Sequence, residues 1–590
     1  MSRLVLDRLW PMLTVMAVLI VGAQFLQEYA KRRGNETIRV DIQNEQQFPD
    51  DDEAGPGAGE GADPVGSPIS ALQAQARKAA RRGHADEAVP LYQRALAEHP
   101  DSPELLGELG YRLLLAKKPE QALPYLEKAD QLRPTARSAM RLGNARRDLD
   151  DDAGAERDFR RALALRPSYV QAKISLGNAL RRRGEVAEAV ALLRDATGAG
   201  SNEERSRAWV ALGWALLASN QRPEASRAFE RAIEFSPARA GVRLGIAHAW
   251  QSTDRDEDEV VALGILKRTV DLAPDLPAVW YALGHAYERT GDKAGALEAY
   301  DRTLRLSPSH RQARRRAVQI ALAARDFTRA RRDAERLVAD APGDAEAHFL
   351  AASVAEKDGR KDDARRAYHA AIDAAKGSYP EAWLAIGQLD KGAGDDAAAR
   401  AAFGKALAQR PDFTAGWLAL GKLDESVQKP TAAEKAWRKA LAIDPKFAAA
   451  WLALGQLHAA QAHVDEAVSD LQRALAVKPG YAPAELALGE TLLRAGRSRD
   501  AVAVLSGLVF RDARSVPGWF NLAVALRRDG RPGDARTALS KALELDSSDL
   551  EARVELGDLD LAEGRLADAK AHFQEALDLA PGHVGSRVHL

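Results

Sequence analysis

The sequence predicts an all-α solenoid of stacked helical pairs, and three observations carry that prediction. Trp383, Trp417 and Trp451 recur every 34 residues, followed in turn by Ile386-Gly387, Leu420-Gly421 and Leu454-Gly455. Ala399, Ala433 and Ala467 keep the same interval, as do Ala406, Ala440 and Ala474, and then Pro411, Pro445 and Pro479. An alanine opening the packed face of a second helix returns in fifteen units, from Ala88 to Ala569. A fixed period of this length marks units that cannot bury an apolar face alone and must stack.

Each landmark has a physical role. A unit reads as two helices of roughly 12–14 residues, marginal alone in water and stable only when packed. Gly and Ala stand where two helices approach closely, since a larger side chain would overpack the contact. The tryptophans and the later aromatics, Phe403 and Trp437, are expected to fill the space between the helices. On that reading, removing the Trp417 ring would cost roughly 3–5 kcal/mol. Proline just beyond the second helix cannot continue it and sets the turn.

The Trp, Leu-Gly, Ala and Pro landmarks resemble the tetratricopeptide repeat (TPR) family. That resemblance implies a right-handed superhelix of about fifteen repeats, whose first helices line a concave groove. The units start near Ile69, Pro103, Ala136, Val170, Ser206, Ala238, Pro277, Arg311, Ala345, Pro380, Thr414, Ala448, Ala482, Val516 and Leu550. Eleven keep the glycine of the first helix, and Ala76, Val318, Ala352 and Ala523 replace it in the others. The solenoid is therefore placed over residues 69–583, with a short tail at 584–590.

Three stretches depart from the pattern. Gly198–Arg205 reads as a lengthened turn before the fifth unit, and Asp254–Glu259 (DRDEDE) as a solvated loop inside the sixth. The DRDEDE run lacks the turn glycine and terminal Glu of a calcium loop. The eighth unit has lost its Leu-Gly pair and is rich in arginine. Its Arg311, Arg314, Arg315 and Arg316 form either a patch for an acidic partner or a charged solvent face, and the unit is a candidate bend.

Ahead of the repeats, Leu9–Leu26 is an uncharged apolar run just long enough to span a bilayer, flanked by Arg3 and Arg8 and by Lys31, Arg32 and Arg33. Residues 1–33 read as an uncleaved transmembrane anchor, with a signal peptide ending at Val21-Gly22-Ala23 as the rival. The flanking charges nearly balance, so the preferred orientation, repeats outside and hence periplasmic in a bacterial inner membrane, stands beside a cytoplasmic one. Residues 34–68, acidic at Asp50–Glu53 and rich in Gly and Pro, read as a disordered tether. Preference for Arg, Ala and Leu over Lys suits a GC-rich bacterial genome.

Composition narrows the chemistry. Lys and Arg number 84 against 85 Asp and Glu, which argues against nucleic acid as a partner. Cysteine is absent, excluding disulfides, thiolate metal sites, a cysteine nucleophile and a lipidated N-terminal cysteine. The 12 histidines form no H-E-x-x-H, and neither a P-loop nor a G-x-S-x-G elbow occurs. No catalytic residue, metal site or cofactor is expected.

What remains is binding. By resemblance to TPRs, residues just after the Leu-Gly pair face the groove: Asn144 and Arg147 in the third unit, Asn178, Arg181 and Arg182 in the fourth. Asn can donate and accept along a peptide, and Arg offers a fork to an anion. The alternative is ordinary solvated polar side chains. After Pro581 the tail begins a further first helix and stops. An open apolar face bearing Phe573 and Leu577 is therefore expected to dock on a second copy, a partner subunit or a further domain. Two functions fit. One is a non-catalytic, membrane-tethered scaffold for an envelope assembly, of the secretion, pilus, polysaccharide-export or cytochrome-maturation type. The other is a cytoplasm-facing adaptor controlling a membrane enzyme.

Overall fold

The computed structural model describes residues 68–81, 85–253 and 255–580. Among these, the backbone forms thirty α-helices and no strand. In the most regular stretch the pairs are Pro380–Gly392 with Asp396–Gln409, Thr414–Ser426 with Pro430–Ile443, and Ala448–Ala460 with Val464–Val477. The expected anchor, Leu9–Leu26, lies outside the described residues. No described helix is long and apolar enough to cross a membrane.

Local rules set the helix ends. Pro103, Pro277 and Pro380 occupy the first turn of their helices, where a missing N–H costs nothing. Ser102, Ser515 and Asp549 accept hydrogen bonds from the orphan N–H groups of the helices they precede. Between the two helices of a repeat one residue must turn left-handed. Glycine does so at Gly184, Gly394 and Gly496, but Lys117, Arg325, Gln428 and Ala462 take the same positive φ without that freedom.

The chain divides between Asp326 and Phe327, in the turn of the eighth repeat, into two compact units. Within each unit the packing scheme is the same. A second helix packs on its own first helix and on the first helix of the next repeat. Neighbouring first helices also touch, as Val170–Arg182 does Asn202–Ala218 and Ala448–Ala460 does Ala482–Arg494. First helices thus form the inner layer of each unit and second helices the outer one.

Inside a repeat the core centres on the glycine and the residue above it. A Cβ at Gly421 would fall within the ring of Trp437, which is itself 0% exposed. Trp417 has a different job from the one expected. It stays half-buried, its indole Nε1 donates to the Pro411 carbonyl at 2.9 Å, and the Lys439 ammonium lies 5.1 Å from its ring centre. Trp451 and Trp280 repeat the bond, to Pro445 and Pro274. These tryptophans staple the first helix to the turn before it, while Trp417 and Trp451 also pack, partly buried, against the core. Trp437 instead satisfies its N–H within the core, donating to the Leu418 carbonyl at 3.2 Å.

Repeats five and six correct the expected boundaries. Asn202–Arg205 is no turn but an added helical turn opening Asn202–Ala218, started by a Ser201–Glu204 capping box. The sixth repeat begins at Ala240, two residues after the expected start. Ala247, 0% exposed, takes the packed position, whereas a Cβ on Gly245 would meet only Val210 Cγ1 at 3.8 Å. Asp256–Glu259 is not a solvated loop either; it forms the first turn of Asp256–Leu272, where acidic side chains favour the helix dipole. Asp258 and Glu259 are buried. Arg222 reaches Asp258 at 2.7 Å, while Arg289 and Gln251 each reach Glu259 at 2.8 Å.

Candidate functional site

The inner layer is where a partner can meet many repeats at once. Within it, the residue after the packed Gly or Ala recurs at one register position. In repeats three to seven of the first unit that position carries Asn144, Asn178, Trp214, His248 and His285; in repeats ten to thirteen of the second it carries Gln388, Lys422, Gln456 and Glu490. The helix turns once more before the side chain three residues on, which places Arg147, Arg181, Lys391 and Glu425 beside the first row.

Most of the arginines expected to read a ligand are already engaged. Arg147 donates to Asn144 Oδ1 at 3.1 Å and to Asp148 Oδ1 at 2.9 and 3.1 Å. Arg182 pairs with Asp152 at 2.8 Å. Arg181 differs. It lies 5.0 Å from the Trp214 ring centre, and its Nε is sealed from solvent without a hydrogen-bond partner. Burial first, and then the charge of Arg182, hold it below the usual arginine range.

The arginine run of the eighth repeat turns inward on its own unit. Arg316 pairs with Glu288 at 3.3 Å, and Arg314 donates to the Pro308 carbonyl at 2.6 Å. Arg315 is half-buried and Arg311 exposed. At the far end Phe573 is fully buried beneath Gly557, so its ring fills its own repeat and is not offered to a partner. Leu577 is half-buried; the exposed apolar side chains of that repeat are Leu561, Leu566 and Leu579. Helical spacing places Phe573 on an apolar face, but the packed glycine of the preceding helix decides which way that face looks.

Two clusters escaped the sequence reading. His248 and His285 occupy the same register in adjacent repeats, and His248 Nε2 and His285 Nδ1 are sealed from solvent without partners. Burial pushes His248 down to about 4, and burial with the charges of Arg316 and Arg289 pushes His285 to about 3, so both rings are neutral at pH 7. In the second unit, Lys391 Nζ donates to the Lys422 backbone carbonyl at 2.9 Å. Burial, then the neighbouring Lys391 charge, pushes Lys422 down to about 8. Glu425 stands beside both lysines, and burial raises its carboxyl above the ordinary range. The signal was present, since both lysines occupy the register of Asn178 and Arg181, but single lysines on a helix carry no distinguishing pattern.

Comparison with known proteins agrees with this architecture. The tetratricopeptide repeat family matches residues 74–137, 140–204, 206–239, 277–320, 315–380, 418–483, 486–549 and 520–584. The cellulose synthase 2 operon protein C of Komagataeibacter xylinus is 29% identical over 236 residues, 37% of this chain and 18% of that protein. Anaphase-promoting complex subunit 3 of Schizosaccharomyces pombe is 22% identical over 283 residues, 48% of this chain and 42% of its own length. The chain thus spans less than half the length of these curated relatives. Among solved structures, the APC/C hetero-tetramer Cut9-Hcn1 aligns with 84% of this chain and 97% of its own at 15% identity and a TM-score of 0.36. Yeast Tom70 aligns with 70% of this chain and 92% of its own, at 16% identity and a TM-score of 0.35. With the family matched over most of its length and helical pairs throughout the described residues, the chain belongs to the tetratricopeptide repeat family.

Proposed function

We propose that this protein is a non-catalytic scaffold that holds extended segments of partner proteins along the inner faces of its two units. The observation that carries the reading is the polar row on the inner layer, which carries Asn144, Asn178, His248 and His285 in the first unit and Gln388, Lys422, Gln456 and Glu490 in the second at one position per repeat. An extended peptide brings donors and acceptors at regular spacing, which suits a row that recurs once per repeat.

The finer reading is a scaffold for a bacterial envelope assembly, tethered through Leu9–Leu26 with its repeats on the periplasmic side. The name of the Komagataeibacter relative, an operon protein of cellulose synthase, supports an envelope setting of the polysaccharide-export type. Capture of crosslinked partners from native membranes tests the binding role. Changing Asn178 and Arg181 to Ala should release partners held by the first unit while helicity stays intact; capture at wild-type strength would assign those residues to solvation. Protease added to spheroplasts tests the topology. Repeats that survive until the membrane is breached would instead favour the cytoplasm-facing adaptor.

A further inference from the structure

Two positions recur at each stacking junction of the second unit. One is the residue after the packed alanine of a second helix; the other lies three places after the packed glycine or alanine of the next first helix. From repeat nine to repeat eleven they form ion pairs, Arg365 with Asp390 and then Arg400 with Asp424. Arg536 does the same with Asp560 between the last two repeats. From repeat twelve to repeat fourteen the positions are apolar, with Val468 and Leu492 and then Val502 and Leu526.

The junction between repeats eleven and twelve reverses the signs and puts a histidine in the middle. Glu434 supplies the acid, and His458, only 7% exposed, takes the position of the aspartates. Its Nδ1 lies 2.9 Å from Asp470 Oδ2 in its own repeat, and its Nε2 lies 3.7 Å from Glu434 Oε1 in the repeat before. Both ring nitrogens therefore face carboxylates. A neutral imidazole has one N–H and turns a lone pair towards the other acceptor, whereas the charged ring donates to both.

The charges around the ring do not replace that proton. Arg438 binds Glu434 at 2.6 Å and Arg473 lies 3.8 Å from Asp470, but each serves a carboxylate of its own helix. The His463 ring in the turn is centred 6.3 Å away. Arg494 of the next first helix bonds the Ala459 carbonyl at 3.4 Å, and Asp424 of the preceding one is held by Arg400. Across this junction His458 is the link. In repeat fifteen His572 stands 3.5 Å from Asp560, yet Arg536 holds that junction whatever the charge on the ring.

We propose that His458 is a proton-dependent clasp between repeats eleven and twelve, closed when the imidazole is charged and released when it is neutral. Stacked repeats then hold the proton more tightly than separated ones, so the added stability is present at low pH and is lost as the pH rises through the imidazole range. Lys422 and Gln456 stand on either side of this junction in the inner row, so the proton sets how firmly that stretch of the row is held. The clasp does not depend on what occupies the row.

Hydrogen exchange on the full-length chain in detergent tests it, after correction for the intrinsic pH dependence of amide exchange. Between about pH 6 and about pH 8.5, protection of Pro430–Ile443 and Ala448–Ala460 should fall at least about fivefold relative to Pro380–Gly392, which the Arg365–Asp390 pair holds. His458→Gln should start lower and show no fall. Glu434→Gln, a volume-preserving change at a half-buried position, should cut the fall by about half or more, and His463→Gln should leave it whole. A fall that persists in His458→Gln or vanishes in His463→Gln overturns the proposal, as does an equal fall at Pro380–Gly392 in the wild-type chain. If circular dichroism shows that His458→Gln has lost helix, Glu434→Gln decides: an undiminished fall there overturns the clasp.

Discussion

The same register position carries different chemistry in the two units, and the contrast separates what builds a repeat from what a repeat is used for. In repeats three to seven of the first unit it reads Asn, Asn, Trp, His, His, and the nearby arginines are mostly neutralised by carboxylates of their own or the adjoining repeat. In repeats ten to thirteen of the second it reads Gln, Lys, Gln, Glu, and Glu425 stands beside the lysines of repeats ten and eleven, with Asp396 also beside Lys391. The packed residues barely change: Gly177 lies under Leu193 and Gly489 under Leu505. The residue after the glycine varies in charge and size from repeat to repeat while the packed position stays small in nearly every one, so its identity is open to binding.

The largest expected effect separates two kinds of tryptophan. Trp437→Ala should cost about 3–5 kcal/mol, because a fully buried ring leaves a cavity under Gly421. Trp417→Ala should cost less, about 1–3 kcal/mol, for a half-buried ring packed at the edge of the core together with one hydrogen bond. Hydrogen exchange should show the first loss confined to repeats ten to twelve, as nearest-neighbour coupling requires. Equal losses for both variants would return Trp417 to the core.

Acid should then strike the first unit through its neutral histidines. Their folded pKa values lie below the unfolded value, at about 4 for His248 and about 3 for His285. The stability this adds is therefore complete above about pH 6.5 and is lost as the pH falls through the folded values. The loss should be on the order of several kcal/mol, since every tenfold change in proton affinity between the two states is worth about 1.4 kcal/mol and each ring is shifted by more than two such steps. Replacing both with Gln should flatten the acid limb of exchange in repeats six and seven and leave repeats ten to twelve unaffected. An acid limb of undiminished height in the variant would assign it to other groups.

Two smaller substitutions sharpen the register. Gly421→Ala should destabilise by about 1–3 kcal/mol by overpacking against Trp437. Gly245→Ala should stabilise by about 0.5–1 kcal/mol, because its Cβ would find ordinary contact and helix propensity improves. Opposite signs in chemical denaturation would confirm that Ala247 is the packed residue of the sixth repeat. The smallest effect is in a turn: Ala462 holds φ near 61°, and Ala462→Gly should gain about 0.5–1 kcal/mol. Gly496→Ala, at the equivalent turn of the next repeat, should lose a comparable amount.

Periodicity alone located most of this fold. Helices begin at Pro103, Ala136, Val170, Pro277, Arg311, Ala345, Pro380, Thr414, Ala448, Ala482, Val516 and Leu550, the positions the 34-residue period predicts. That works because stacking repeats the same close approach from unit to unit, met by Gly or Ala in every repeat but the eighth, where Val318 is buried instead. The candidate site was less legible. Register places Asn144, Asn178 and Arg181 on the inner row, yet nothing in the sequence says that Arg147 is consumed by Asp148 while Arg181 lies against Trp214.

What only the tertiary structure decided is how each charge is met, because the partners come from neighbouring repeats. Asp258 reads as part of a solvated run until Arg222, 36 residues earlier, is brought against it, and Glu259 until Arg289, in the repeat after, reaches back. Phe573 reads as an open face until Gly557 is folded beneath it. Period and residue size determine where a helix lies and which side it buries. Whether a polar group on that helix is spent or free depends on groups a whole repeat away, which the local sequence around it does not show.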